Sequence, residues 1–183
     1  MLEAPMGVVS STAGHGGGNN GKDKNQQPQP NSDDQGKPDN GDHSQTLWIL
    51  IFCGYPHDIQ SARVTELYIV FDENESENLT IRITGHHPNF TVEEVWNQPH
   101  PRTRPHFYRR LAVATVETSS ALDMGLRDAI FGSHVNNTEP DWTCQSWVGD
   151  VLTTLQDAML ITVEEGDNAL NGMVNYIARA PWQ

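Results

Sequence analysis

The sequence predicts an α+β domain: an antiparallel sheet of about four to five strands with C-terminal helices packed on it, behind a disordered N-terminal tail. Three observations carry this expectation. Strand-like segments crowd into the first half of the folding region and helix-like segments into the last third. Leu79-Thr80-Ile81-Arg82-Ile83-Thr84 alternates apolar and polar residues, the period of a strand with one wet face. Apolar residues at 144, 147, 148, 151, 152, 155, 158 and 159 follow the spacing of an amphipathic helix.

Taken in order, residues 1–45 form a low-complexity tail of Gly, Asn, Gln, Pro and Asp. Such a segment buries too little apolar surface to offset its ordering entropy, so disorder is predicted. Residues 46–183 are then a single domain. Leu47-Trp48-Ile49-Leu50-Ile51-Phe52-Cys53 is a continuous apolar run, too short for a membrane, and reads as a strand buried on both faces. Val64 to Phe71 is a second strand, joined by the polar turn 72–78 to Leu79–Thr84 as an antiparallel hairpin. Gly85-His86-His87-Pro88 closes that strand.

Thr91 to Trp96 fits either a short helix, with Thr91 and Glu94 in capping-box spacing, or an edge strand. Residues 97–105 hold three prolines and form a loop, and Phe107 to Val116 is rich in strand-favouring residues. A helix is predicted over 121–131, with Ser120 and Asp123 as its capping pair. The helix at 144 follows, with Asp141 or Thr143 as its cap. A turn over 164–167 leads to a last helix over 168–180, with Leu170, Met173, Val174 and Ile177 on one face.

The formal charge is −13, and eight arginines against eighteen carboxylates leave about −10 on residues 46–183. That surface disfavours nucleic acid and anionic membranes as partners, because both demand clustered cations. The one basic cluster, Arg102 to Arg110, carries four arginines with His100 and His106 and reads as a solvated loop or an anion-binding patch. Two cysteines make no disulfide framework, and no Cys or His pair has zinc spacing, so no metal or other cofactor is expected. With neither a signal-peptide core nor a membrane-length run, the expectation is a cytoplasmic protein with reduced thiols. Four Asn-x-Ser/Thr sequons then read as chance.

Cys144 opens its helix in Trp142-Thr143-Cys144-Gln145-Ser146-Trp147. Backbone N–H groups and the helix dipole at such a position favour a thiolate, the nucleophilic form. An inert core cysteine sits at the same place. A nucleophile also needs a base, for which His57, His86, His87, His100, His106 and His134 are candidates, with His86 and His87 at the end of a strand foremost. Gln145 either directs its amide into a cleft or solvates the helix start. Trp142 either packs as a staple or rims a pocket, and Trp147 is read as a core anchor.

The Cys144-Gln145-Ser146-Trp147 tetrad, with the strand Leu79–Thr84 upstream, resembles a group of small uncharacterised proteins, mostly fungal. Their signature is an Asn-Cys-Gln-x-Trp helix start preceded by a strand opening with His-Trp. That layout is similar to the circularly permuted papain-like cysteine hydrolases, NlpC-type peptidases and lecithin–retinol acyltransferases among them. The resemblance spans roughly residues 47–160 and implies a permuted papain-like fold with Cys144 at the nucleophile position. Two departures stand out. Thr143 replaces the Asn, and Val64 and Thr65 occupy the place of the His-Trp pair that supplies the base.

Two functions follow. In one, the domain keeps the fold, has lost the hydrolytic chemistry, and binds a small apolar molecule or a protein partner through Gln145, Trp142 and His57. An accessory or cyclising role in small-molecule biosynthesis belongs to this reading. In the other, Cys144 is the nucleophile of a hydrolase or acyltransferase, with His86 or His87 as base.

Overall fold

The structure is a computed structural model that describes residues 42–181. Five strands form one antiparallel sheet in the order β4-β3-β2-β1-β5. They are β1 (His43–Phe52), β2 (Val64–Phe71), β3 (Asn74–Thr84), β4 (Thr91–Trp96) and β5 (Phe107–Thr118). Three helices follow: α1 (Gly125–Phe131), α2 (Cys144–Asp157) and α3 (Val163–Ile177). The α+β class predicted from the order of elements is therefore present.

The predicted tail falls outside the described residues up to position 41. Its last residues, His43–Gln45, belong to β1. Gln45 is buried, pairs with Phe71 and Val116, and donates from Nε2 to the Asp123 carbonyl at 2.6 Å. Polar residues stitched in by hydrogen bonds leave no apolar signal in a sequence.

β1 runs between β2 and β5 and is buried from both sides. Leu47, Ile49 and Ile51 face the helices with Leu67, Ile69, Phe71, Leu79, Ile81 and Ile83. Leu50 and Phe52 face the other way, with Tyr68, Val70, Trp48 and Phe107. This explains the unbroken apolar run of β1: each of its core side chains gains about 1.5–3 kcal/mol on burial. Among the described residues, helices cover only the first face. Its central element is α2, which buries Trp147, Val148, Val151, Leu152 and Leu155.

The β2–β3 turn is tighter than predicted. Asp72 and Glu73 both take positive φ, as a two-residue hairpin requires, and β3 resumes at Asn74. The register shifts between Val70 and Phe71, so residues 75–77 bulge out. Thr91–Trp96 resolves as the edge strand, paired with β3 from Thr84↔Thr91 to Leu79↔Trp96.

Two helix starts differ from expectation. α1 begins at Gly125, because the Asp123 carboxylate accepts from Gly125 N at 2.8 Å and from Ser119 Oγ at 3.2 Å, holding the preceding residues in a turn. α3 begins at Val163 rather than 168. Thr162 and Glu165 form a reciprocal capping box, with Thr162 N donating to Glu165 Oε2 at 2.8 Å and Glu165 N to Thr162 Oγ1 at 3.2 Å. Gly166 does not break the helix. It lets α3 approach α2, since a Cβ there would collide with the Gln156 amide. The buried face of α3 is Gly166, Ala169, Met173 and Ile177, while Leu170 and Val174 lie exposed.

Candidate functional site

The start of α2 is built by its cap. Thr143, not Asp141, is the N-cap: its hydroxyl accepts from Gln145 N at 3.3 Å, and Ser146 Oγ accepts from Thr143 N at 3.2 Å. Trp142 is buried and packs edge-on against Phe90 with ring centroids 5.6 Å apart. Its Nε1 donates to Asp150 Oδ2 at 2.9 Å, in the second turn of the helix. The indole is thus committed to packing and to clamping the helix start.

Cys144 is half-buried against the main core. Its Sγ accepts from Thr65 N at 3.5 Å and faces the Arg63 carbonyl at 3.9 Å. The opening of β2 therefore lies against the sulfur, at the position where the resemblance expects a base. Thr65 is fully buried there, and its Oγ1 has no hydrogen-bond partner. A hydroxyl so placed has no acceptor through which to pass a proton.

The candidate bases are not joined to this thiol. His86 is exposed and His87 half-buried in the tight turn after β3, which Asn89 N closes by donating to the His86 carbonyl at 2.7 Å. Gly85 has φ +90 here, and any side chain would strike the Asn89 carbonyl. His87 Nε2 is enclosed without a partner. His57 is exposed in the loop after β1. Among the described residues, no imidazole is hydrogen-bonded to Cys144 Sγ.

Gln145 is half-buried, and its amide nitrogen is bound by backbone. Its Nε2 donates to the carbonyls of Gln60 at 2.8 Å and Arg63 at 2.9 Å, fastening the 3-10 turn Gln60–Ala62 to the start of α2. That turn is anchored from behind by Arg63, whose side chain is only 4% exposed. The guanidinium donates from Nε to Asp58 Oδ1 at 2.9 Å and from Nη2 to Oδ2 at 2.7 Å. Its Nη1 reaches the Tyr176 carbonyl, and the group lies 4.3 Å from the centre of the Tyr108 ring. Asp58, Arg63, Tyr108 and Tyr176 carry no local motif. Only the pairing of distant segments brings them together.

Hydrogen bonds from Arg63 hold the Asp58 carboxyl down at about 2, assisted by Gly54 N–H and opposed by burial. Burial, and then Asp58, push the Cys53 thiol up, away from the thiolate form. A depressed folded-state value means that Asp58 stabilises the fold above its unfolded value near 4 and loses this as pH falls toward 2. Asp58 is 36% exposed, so solvent screening reduces the contribution to about 1 kcal/mol. Melting curves from pH 5 to pH 2 are expected to show this loss in the native chain, and Asp58→Asn is expected to remove that part of the slope. An identical slope in both would show that the pair is not formed in solution.

The fold and this site define an α+β domain with an antiparallel sheet and a cysteine-opened helix crossing one face. Comparison with protein-family models, with curated proteins and with solved structures finds no match to this chain. Both cysteines are free, and no helix among the described residues is long and apolar enough to cross a membrane.

Proposed function

We propose that this chain is a binding domain built on a papain-like arrangement that has lost its hydrolytic base. It holds a small molecule or a protein partner, in the manner of an accessory or cyclising factor in small-molecule biosynthesis. We take it to be cytoplasmic, and its acidic surface favours a partner other than nucleic acid.

One observation supports the reading: the group that meets the Cys144 sulfur from β2 is the backbone N–H of Thr65, not an imidazole. Attack by a thiol on an ester or amide requires removal of its proton by a group within hydrogen-bond reach. The neighbours of Sγ are a backbone N–H and a backbone carbonyl, and neither takes a proton at neutral pH. The Gln145 amide nitrogen holds the 60–63 segment beside the sulfur.

The test is the reactivity of Cys144 toward a small thiol-directed electrophile at pH 7, in a Cys53→Ala background. The expected rate is no greater than that of a free model thiol. A rate more than about tenfold faster, lost in His86→Ala or His87→Ala, would establish the cysteine hydrolase or acyltransferase instead.

A further inference from the structure

α2 and α3 pack antiparallel. Gln156 Nε2 donates to the Val163 carbonyl at 3.1 Å near the corner that joins them, and Gly149 lies against Leu170 further back. An apolar stripe is left outside. Val163, Leu170 and Val174 recur at helical period on α3, and all three are exposed. Gly149 places no side chain beside this stripe, and a Cβ there would touch only Leu170 Cδ1, at 3.7 Å. At the α2–α3 corner the stripe runs into a cavity of about 340 Å³ whose lining includes Met159, Leu160, Ile161 and Val163.

Met159 sets this corner apart from an ordinary turn. It is 90% exposed and has φ +57. It follows Ala158, the C-cap of α2, at a position where left-handed backbone favours glycine. An apolar side chain displayed to water on strained backbone points to something that covers it. The unbranched thioether also adapts readily to an irregular apolar surface.

The surrounding charge identifies what covers it. No lysine or arginine occurs from position 128 to 178, whereas α2 and α3 carry Asp150, Asp157, Glu164, Glu165 and Asp167. Asp157, Glu164 and Asp167 are exposed and make no ion pair among the described residues. Neither helix has a basic residue in its last turn, where the dipole favours one, and α2 ends on Asp157 instead. The stripe is thus bordered by carboxylates that lack cations of their own. A second copy of this chain would bring the same charge to the same face, and an anionic membrane would be repelled.

We propose that the outer α2–α3 surface docks a cationic amphipathic helix of a partner protein. Its apolar face lies on Met159, Val163, Leu170 and Val174, and its flanking lysines or arginines lie against Asp157, Glu164 and Asp167. Apolar anchors at helical spacing supply the contact, and the charges on either side fix orientation and exclude acidic helices. This gives the binding reading above a class of partner and rests on it. The two are read by different measurements, so a reactive Cys144 would overturn the loss of hydrolysis without bearing on the titration below.

The experiment titrates the full chain with a helical peptide of about 18 residues, slightly longer than α3, with leucine on one face and lysine on the other. One comparison peptide has Ser for every Leu, and a second has Glu for every Lys. One saturable site is expected for the Leu/Lys peptide, with each of the others at least about tenfold weaker. Met159→Gly removes the side chain from backbone that glycine favours, so that variant folds. Met159→Gly with Val163→Ser and Val174→Ser is expected to weaken the Leu/Lys peptide at least about tenfold, and Met159→Gly alone by a smaller factor. Asp157→Asn with Asp167→Asn is expected to weaken it about threefold or more. Glu73→Gln with Glu117→Gln, exposed carboxylates outside the two helices, is expected to change nothing. Equal affinity for the Leu/Lys and Ser/Lys peptides, or unchanged affinity in the triple variant, would overturn the proposal. So would an equal loss in Glu73→Gln with Glu117→Gln, which would reduce the effect to overall charge. A dimer of the chain in sedimentation, or binding to phosphatidylcholine vesicles, that is lost in the triple variant would overturn it in favour of a second copy or a membrane.

Discussion

Replacing Arg63 with alanine is expected to destabilise the domain by about 3–4 kcal/mol, a fall in melting temperature of about 10 °C. The cost comes from what is left behind. Asp58 loses its bidentate partner, the Tyr176 carbonyl loses a charged donor, and the Tyr108 ring loses the guanidinium stacked on it. The segment carrying Gln60 and the Cys144 contact loses its anchor as well. Arg63→Lys keeps the charge but not the fork or the stacking, and is expected to cost about half as much. Thermal melts of both variants at pH 7 measure this. A shift below about 3 °C for Arg63→Ala would mean that the buried cluster is not formed.

Trp147→Ala is expected to cost about 3–5 kcal/mol, the usual penalty for emptying a fully buried aromatic site. Trp147 is completely enclosed in the main core, between α2 and the sheet. Its Nε1 has no hydrogen-bond partner there, so it bears a desolvation cost of about 1–3 kcal/mol. Trp147→Phe removes that donor while keeping most of the ring, and is expected to cost less than about 1 kcal/mol. Urea unfolding of the two variants gives the comparison. Equal losses would mean that the indole N–H is satisfied in solution.

How far the site was legible can be judged from single residues. Trp147 was readable as a core anchor because its spacing from Val148, Val151 and Leu155 defines one helix face. Thr143 was readable as a cap because a hydroxyl ahead of a periodic run satisfies the exposed N–H groups of a first turn. The turn expected over 164–167 is the first turn of α3, because the Thr162–Glu165 capping box starts that helix at Val163. The early start assigned to α1 fails for a similar reason: the Asp123 side chain caps Gly125 locally and competes with helix. The ends of β1 and β3 were missed because Gln45 and Asn74–Asn78 are held by polar contacts, which carry no hydrophobic period.

By itself, the sequence determined the class of the fold, four of the five strands, the helix that Cys144 opens, and the absence of a histidine at 64 and 65. Each of these rests on patterns a few residues long, where period, capping and turn chemistry act locally. Only the tertiary structure decided what faces the thiol. Thr65 lies 79 positions before Cys144, and their contact exists because α2 crosses the end of β2. The same holds for Arg63 against Tyr176, and for Arg102 sharing a cavity with Trp48. Charge and hydrogen bonding act over a few ångströms of space, and the chain reaches those distances only after the sheet has closed.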